Sequence, residues 1–288
     1  MATDSIRPAA VAGSWYPASA GALAREVDTY LADAASVALP VGRVDAVIAP
    51  HAGLLFSGPV GACAYRAAAA GAPYDAAVLV GPSHFVGFEG VAVYPSGAFA
   101  TPLGAVEIDR VLATELMDAS PMVHVRPEAH RREHSLEMQL PFMRRLLPDV
   151  PIVPLLMGDQ TTATIRALAQ ALATAGAGRR LLFVASTDLS HYFEAVTAER
   201  LDAQVRERVA AFDAEGLLAL FERAPAAERG RYVACGGGPT IAVMLGAQAR
   251  GAHHGRVLRY MHSGEISGDT SGVVGYLAAA LGTFTNAD

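Results

Sequence analysis

The chain has 288 residues, of which 52% are hydrophobic, and its formal net charge is -6. This length suffices for a large buried core, and no run of Lys or Arg resembles the electrostatic footprint of a nucleic-acid-binding protein. The mean hydropathy is +0.30, yet no apolar stretch approaches the roughly 20 residues needed to cross a bilayer. We therefore expect neither a nucleic acid nor a membrane as a partner.

The first residues and the cysteine content indicate the compartment. The segment MATDSIRPAA lacks the basic and apolar regions of a signal peptide, so we expect a cytoplasmic protein. In that reducing compartment Cys63 and Cys235 are expected to be free thiols or ligands, not a disulfide. Cys63 falls inside a predicted helix and is assigned to packing.

From residue 44 onward, short β-branched runs alternate with amphipathic stretches, the pattern of βαβ units. The predicted strands are 44–50, 75–82, 91–94, 151–156, 181–186, 256–262 and 272–278. The predicted helices are 59–70, 107–118, 132–147, 162–175, 197–211 and 238–249. This alternation predicts an α/β protein, a three-layer α/β/α sandwich around a mostly parallel or mixed sheet. Because no linker or repeat interrupts it, residues 1–288 are expected to form one domain.

Three predicted strands end in a histidine. The segments VIAPHAG, VLVGPSHF and LLFVASTDLSHYF place His51, His84 and His191 directly after a strand. Ligands of open α/β sheets bind beyond the carboxyl ends of the strands, so we expect the three imidazoles to share one edge. A lone histidine at such a place usually bonds to a backbone carbonyl. Three at the same relative position, on rigid strand ends, favour a metal site.

Cys235, in YVACGGGPTIAVML, is a candidate anionic ligand. The glycines after it could direct backbone amides at an anion, and a helix beginning near Pro239 would lower the thiol pKa. The alternative is a small buried cysteine beside a glycine turn. Two imidazoles plus an anion with open positions suit non-haem Fe(II), and a thiolate also suits Cu or Zn. His51, His84 and Cys235 are therefore one candidate set of ligands for Fe(II), Cu or Zn.

Further polar residues are predicted beside this site. His191 would be free to act as acid or base, with Asp188 three residues earlier in a turn that could orient it. His134 and Glu137 lie one helical turn apart and could face the same pocket. Glu265 or Asp269, both in the polar loop SGEISGDTSG, could serve as the carboxylate ligand if Cys235 does not, although a solvated loop is the simpler interpretation.

The segment HRREH, residues 130–134, matches the H-x-x-E-H pattern of some zinc peptidases. In that pattern His130 and His134 bind zinc from one helical face and Glu133 activates water. The simpler interpretation is the start of an amphipathic helix, with solvated arginines and Pro141 inside it. The sequence contains no phosphate-loop, dinucleotide-binding or serine-hydrolase signature, so those classes have little support.

Seven motifs occur in order along the chain: AGSWYP, APHAG, GPSH, EHSLEMQLPF, STDLSHY, CGGGP and SGEISGD. Together they resemble the Memo family, known in bacteria and archaea as AmmeMemoRadiSam system protein B. The resemblance runs from about residue 7 to about residue 280. It implies a fold similar to that of the class III extradiol dioxygenases, the group of the protocatechuate 4,5-dioxygenase β subunit, which use Fe(II) to open catechol rings.

Carried over position by position, the resemblance implies that His51 and His84 are metal ligands and that His191 is the acid or base. Cys235 stands where the dioxygenases have a glutamate. Replacing a carboxylate by a thiolate alters the redox potential of iron and its tolerance of oxygen, so the resemblance does not by itself imply ring cleavage.

The resemblance also implies that Trp15 and Tyr16 flank the substrate pocket, although fastening the N-terminal arm to the body is the simpler role for both. Ser83 is expected in the pocket beside His84. Two functions follow as hypotheses. The first is a metal-dependent protein with a redox or oxygenase-type role. The second is a non-catalytic module that binds a peptide or a small molecule in a vestigial pocket. The family's prokaryotic name further implies two pathway partners, AmmeMemoRadiSam protein A and a radical SAM protein.

Overall fold

The computed structural model describes residues 6–285. The strands are β1 (Ile6–Arg7), β2 (Gly42–Ala49), β3 (Ala76–Pro82), β4 (Val91–Val93), β5 (Ala98–Phe99), β6 (Val106–Glu107), β7 (Val123–Val125), β8 (Ile152–Met157), β9 (Leu181–Ser186), β10 (His191–Phe193), β11 (His254–His262) and β12 (Val273–Phe284). The α-helices are α1 (Ala20–Asp33), α2 (Leu54–Ala70), α3 (Arg110–Ala119), α4 (Pro127–His130), α5 (Leu140–Leu146), α6 (Thr162–Thr174), α7 (Ala195–Ala210), α8 (Ala214–Arg223), α9 (Arg229–Tyr232), α10 (Gly237–Ala249) and α11 (Gly264–Ser267). Short 3-10 helices span Ala34–Ser36, Glu137–Gln139 and Ala226–Glu228.

The main sheet has the strand order β10-β12-β2-β9-β3-β8-β4-β7, with β11 paired to β12. Its four central strands, β2, β9, β3 and β8, run parallel, whereas β12 and β4 run antiparallel to the central strands they flank. The sheet is therefore mixed. Since β2, β9 and β3 are parallel neighbours, the residues that follow them emerge at one edge. A small second sheet joins β1, β5 and β6.

The central strands are buried on both faces, and alternate residues enter two separate cores. Ala46 and Ile48 pack in the cluster that contains residues of α3, α6, α7, α8 and α10. Val47 and Ala49 pack on the opposite face, against residues of α1, α2 and α5. Burial on both faces explains why these strands are continuous apolar runs without polar alternation. The predicted α/β sandwich is confirmed.

The region between α4 and α5 differs from the predicted helix 132–147. Helix α4 ends at His130 and α5 begins only at Leu140. The Glu133 carboxylate accepts the backbone N–H groups of His134 and Ser135, which takes these amides out of a helical ladder. Pro141 occupies the first turn of α5, where its missing N–H costs nothing. The prediction of one continuous helix was wrong.

Elsewhere the differences concern element ends and elements that were not predicted. Helix α2 begins five residues before the predicted 59–70, and β12 continues to Phe284, well past the predicted 272–278. Helices α1 and α8 were not predicted. Within residues 6–285, no helix is both long and apolar enough to cross a bilayer.

Candidate metal centre

The predicted metal ligands meet at the carboxyl edge of the parallel strands. His51, His84 and Asp188 each lie two residues beyond β2, β3 and β9, respectively, and Cys235 lies two residues before α10. One ligand atom each from His51, His84 and Cys235 falls within 4.8 Å of the others. The Sγ of Cys235 is 3.2 Å from the Nε2 of His51. Four separate segments of the chain therefore converge on one point.

Hydrogen bonds around Ser186 fix the tautomer of His51. The Ser186 hydroxyl donates its one proton to the carbonyl of Ser135, at 2.7 Å, and accepts from the Nε2 of Gln139, at 2.9 Å. The Nδ1 of His51, 2.8 Å from the same oxygen, must therefore be the donor. This leaves the Nε2 of His51 free to bind a metal on the side that faces Cys235.

His84 is held by the carboxylate of Glu133. Its Nδ1 lies 2.9 Å from Oε1, and its backbone N–H donates to Oε2 at 2.6 Å. Burial favours the neutral acid, but the hydrogen bonds and charge of His84 outweigh it and lower the pKa of Glu133 to about 2. A histidine that donates through one nitrogen to a carboxylate is the usual arrangement behind a metal-bound imidazole. The Nε2 of His84 is the atom left for the ion.

The electrostatics of the cluster favour a thiolate. Burial raises the pKa of the Cys235 thiol, yet the charge of His51 and hydrogen bonds with His51 and His84 bring it down to about 6. The pKa of His84 is affected oppositely: burial lowers it, while hydrogen bonds to Cys235 and Glu133 raise it to about 10. Without a metal, these groups form a thiolate and imidazolium pair near neutral pH. A cation that binds here would replace the Nε2 proton of His84.

The glycines of CGGGP serve close packing. A Cβ on Gly236 would lie 2.3 Å from the carbonyl oxygen of Ser186, so only glycine lets the start of α10 approach the end of β9. The prediction that these amides point at an anion was wrong. The Gly236 N–H donates to the Thr187 hydroxyl at 2.9 Å, and the Gly238 N–H donates to the Oε1 of Gln160 at 2.7 Å.

A cavity of about 490 Å³ opens over the cluster. The residues that line it include Trp15, His51, His84, His134, His191 and Cys235. The Trp15 ring lies 4.2 Å from that of His134, and the His134 ring stacks on His84 at 4.6 Å. Burial lowers the pKa of His134 to about 3, so this ring is neutral at physiological pH. The wall of the cavity is thus built largely from flat rings.

His191 reaches the cavity, but its orientation comes from a backbone carbonyl and not from Asp188 as predicted. Its Nδ1 donates to the carbonyl of Leu189 at 2.7 Å, which leaves Nε2 as the reactive nitrogen. Asp188 also lines the cavity, and its Oδ1 accepts the backbone N–H of His51 at 2.8 Å. Burial raises the pKa of the Asp188 carboxyl. Asp188 therefore positions the His51 segment.

Tyr16 and Glu137 lie outside the cavity, which corrects their predicted place in the pocket. The Glu137 carboxylate is fully buried and accepts hydrogen bonds from the Tyr16 hydroxyl, at 2.6 Å, and from the Ala10 N–H, at 2.7 Å. The buried guanidinium of Arg7 pairs with the same carboxylate. This buried pair fastens the N-terminal arm to the body and so places Trp15 against His134.

Ser83 and Glu265 do not line the cavity over the metal cluster either. The Ser83 hydroxyl donates to the carbonyl of Val86 at 2.8 Å. Glu265 is exposed, and its Oε1 accepts the backbone N–H of His262 at 2.9 Å. Within residues 6–285, two groups of side chains could hold a metal ion: one is His51, His84 and Cys235, and the other is His84, Glu133 and His134. Neither group contains Glu265. Its predicted role as a substitute ligand is therefore not supported by its position.

The H-x-x-E-H segment does not form a peptidase site. His130 is buried among apolar rings, 5.6 Å from the ring of Tyr94, whereas His134 lies in the cavity. Because helix α4 ends at His130, the two histidines do not lie on one helical face. Four N–H groups occupy the Glu133 oxygens, so this carboxylate is committed to His84 and its neighbours instead of to a water.

Sequence reasoning missed the partners of the two ligand histidines. Ser186 ends a strand and Gln139 lies in an apolar segment, and neither residue type belongs to a metal-ligand pattern. Glu133 was noted only as a potential base. Glu133 and Gln139 both lie in REHSLEMQ, the irregular segment between α4 and α5. Neither a helical nor a strand period predicts which way their side chains point in such a segment.

The fold and the site define an α/β sandwich protein with a His/His/Cys cluster at the carboxyl edge of its parallel strands. A family model described as Memo-like protein matches residues 7–280. A MEMO1 family protein of Methanopyrus kandleri is 36% identical over 281 residues, covering 94% of this chain and 97% of the relative. A MEMO1 family protein of Methanothermobacter thermautotrophicus is 36% identical over 278 residues, with 94% and 98% covered. The chain belongs to the Memo family.

A solved structure supports the fold alone. An uncharacterized protein from Escherichia coli K12 superposes with a TM-score of 0.54 at 14% sequence identity. The match covers 83% of this chain and 99% of that protein.

Proposed function

We propose that this protein binds a redox metal, Fe(II) or Cu, at His51, His84 and Cys235 and has an oxygenase-type or other redox role. The observation that carries the proposal is the shared orientation of three imidazole rings. His51, His84 and His191 each donate through Nδ1 to an oxygen acceptor, which leaves Nε2 as the nitrogen available to an ion or a substrate. Two of these nitrogens face a thiol whose pKa is lowered to about 6.

The residues fit a metal ion by distance and by chemistry. Bonds of about 2.3 Å to sulfur and about 2.1 Å to nitrogen together span roughly 4.4 Å. The 3.2 Å separation between the Sγ of Cys235 and the Nε2 of His51 lies within that span. The hydrogen bonds behind each imidazole hold the ring orientation before an ion arrives, which lowers the ordering cost of binding.

Each residue around the site has a defined task in this proposal. A bound Fe(II) or Cu ion would supply a redox centre with open coordination positions facing the cavity. His191 accepts or returns a substrate proton at Nε2, because its Nδ1 is bonded to Leu189. Trp15 and His134 form a flat wall that orients a ring-shaped substrate and excludes water.

The proposed role of His191 is tested by oxygen consumption after anaerobic loading with Fe(II), with a panel of catechols as substrates. The parent is expected to consume oxygen with at least one catechol. His191→Asn is expected to keep the iron and lose most of the turnover, since general acid–base catalysis contributes about 10²–10⁴-fold. Equal turnover by parent and variant would contradict the role. No oxygen consumption by iron-loaded parent would contradict the oxygenase function.

The alternative function is a non-catalytic module that binds a peptide or small molecule in the same cavity. The proposed partners are AmmeMemoRadiSam protein A and the radical SAM protein, and the proposed location of this chain is the cytoplasm. A recognition module needs its ring-lined wall but not its metal. Capture of these two proteins by the metal-stripped chain, as strongly as by the loaded chain, would favour the module over the metal-dependent function.

A further inference from the structure

Arg231 is the one arginine among the described residues that line the cavity over the metal cluster. It lies on the short helix α9, four residues before Cys235. Its guanidinium carbon is 4.8 Å from the centre of the Phe193 ring and 5.9 Å from that of Tyr232. These two rings lie 4.9 Å apart. Stacking on aromatic faces holds a guanidinium in place while its N–H edges stay available.

The positive charge of Arg231 is poorly neutralised by its surroundings. The nearest carboxylate oxygen, on Glu228, is 3.8 Å away, beyond hydrogen-bonding distance, and both side chains are about half exposed. Within residues 6–285, the structure shows no hydrogen bond donated by this guanidinium. Other arginines near the site are engaged: the Nε of Arg229, for example, donates to the carbonyl of Ala224.

Arg231 also borders a second cavity, of about 620 Å³, which lies between α7, α8 and α9. The two cavities share this residue, so the guanidinium stands at their junction. The second cavity contains another arginine, Arg223, which is absent from the wall over the metal cluster. Comparison of these two arginines can therefore locate a bound anion.

We propose that the cavity over the metal cluster binds a planar organic carboxylate, with the carboxylate on Arg231 and the ring against Trp15 and His134. A guanidinium fork matches the two coplanar oxygens of a carboxylate and binds them with charge-assisted hydrogen bonds. Flat rings favour a flat partner by offset or edge contacts. The cavity volume of about 490 Å³ suits a small aromatic acid.

This inference rests on the proposed function, because it names the ligand of the same cavity. Its recognition elements do not include the metal ligands, however. Binding to metal-stripped protein therefore tests the carboxylate subsite, while metal uptake tests the proposed function, and the two can fail separately.

Trp15 provides the signal for the experiment, since it is the only tryptophan in the chain and lines the cavity. The metal-stripped full chain is titrated with benzoate and with benzamide, its neutral analogue, and tryptophan fluorescence is recorded. We expect benzoate to bind on the order of tenfold more tightly than benzamide, as for a hydrogen bond to a charged group. Arg231→Gln should remove that difference, mainly by weakening the binding of benzoate.

Two further variants complete the design. Arg231→Lys should recover part of the preference, because the charge remains but the fork is lost. Arg223→Gln, the matched control, should behave as the parent. The proposal is overturned if the parent binds neither compound, if it binds both equally, or if Arg231→Gln retains the preference for benzoate. Loss of the preference in Arg223→Gln would also overturn it, because the anion would then lie in the second cavity.

Discussion

Glu133 holds His84 at two points: its Oε1 lies 2.9 Å from the ring Nδ1, and its Oε2 accepts the backbone N–H at 2.6 Å. The carboxylate therefore fixes both the position of the chain and the rotation of the imidazole. In this way the segment after α4 controls a ligand that follows β3. The candidate metal centre depends on a residue that the ligand pattern in the sequence does not include.

Glu133→Gln is predicted to weaken metal binding about 10–100-fold, because an amide holds the His84 ring less firmly and makes it less basic. The measurement is a competition titration with Zn(II) and a chromophoric chelator. Glu128→Gln, on the exposed surface of α4, is the control and should bind as the parent does.

The same variant separates two roles of Glu133. A hydrolytic base would be dispensable for zinc affinity, whereas a partner of His84 is not. Unchanged affinity in Glu133→Gln would therefore contradict the positioning role described here.

Ser186→Ala is predicted to loosen His51 and to destabilise the fold. The substitution leaves the Nδ1 of His51 and the amide of Gln139 without their shared oxygen, at a cost of about 1–3 kcal/mol in the free energy of unfolding. Urea unfolding measures this cost. The exposed Ser271→Ala should stay within about 0.5 kcal/mol of the parent, and an equally small change in Ser186→Ala would rule out the hydrogen-bond network as described.

Cys235 is predicted to react with iodoacetamide much faster than Cys63 in the metal-free chain. The pKa of Cys235 is lowered to about 6, so its thiolate forms as the pH rises through 6. The rate of alkylation of Cys235 should therefore level off above about pH 7. Burial raises the pKa of Cys63, which keeps it protonated at these pH values. Mass spectrometry of the alkylated peptides gives both rates.

His51→Ala should move the pH profile of Cys235 upward, because the imidazole that stabilises the thiolate is removed. Two results would contradict these electrostatics. The first is an alkylation midpoint for Cys235 in the parent near the ordinary pKa of a thiol. The second is a midpoint that His51→Ala leaves unchanged.

Gly236→Ala is predicted to damage both stability and the site. The added Cβ would meet the Ser186 carbonyl at 2.3 Å and Thr187 Cβ at 2.8 Å, so the start of α10 must move and carry Cys235 with it. We expect a loss of about 1–3 kcal/mol, typical of overpacking, and weaker metal binding. Gly272→Ala is the matched control, since its Cβ would meet no atom within 4 Å. Equal stability of the two variants would contradict this packing.

The parallel centre of the sheet could be predicted because its strands are buried on both faces and read as apolar runs. The convergence of His51, His84 and His191 then followed from a topological rule, since carboxyl ends of parallel strands share an edge. The flanking strands β4, β11 and β12 were also predicted as strands, but their antiparallel direction and the full length of β12 were not. Strand β12 contains small residues such as Ala278 and Gly282, and its length depends on pairing with β2 and β11.

Residues that act through hydrogen bonds could not be located by period or spacing. Glu137 and Tyr16 were placed in the pocket by a helical interval and by a motif, but the contacts made by Arg7, 130 positions away from Glu137 in sequence, keep Glu137 in the interior. Glu133 was assigned to a helix that its own carboxylate interrupts. In both cases a tertiary contact overrides the local pattern.

The central claim is that His51, His84 and Cys235 form one metal site, and metal content after anaerobic loading tests it most directly. Parent, Cys235→Ser, His51→Ala and Cys63→Ser chains are loaded with Fe(II) or Cu(I), desalted and subjected to elemental analysis. The account predicts about one ion per chain in the parent and in Cys63→Ser, and a large loss in the other two. Retention of the ion by Cys235→Ser and His51→Ala, with the affinity of the parent, would contradict it.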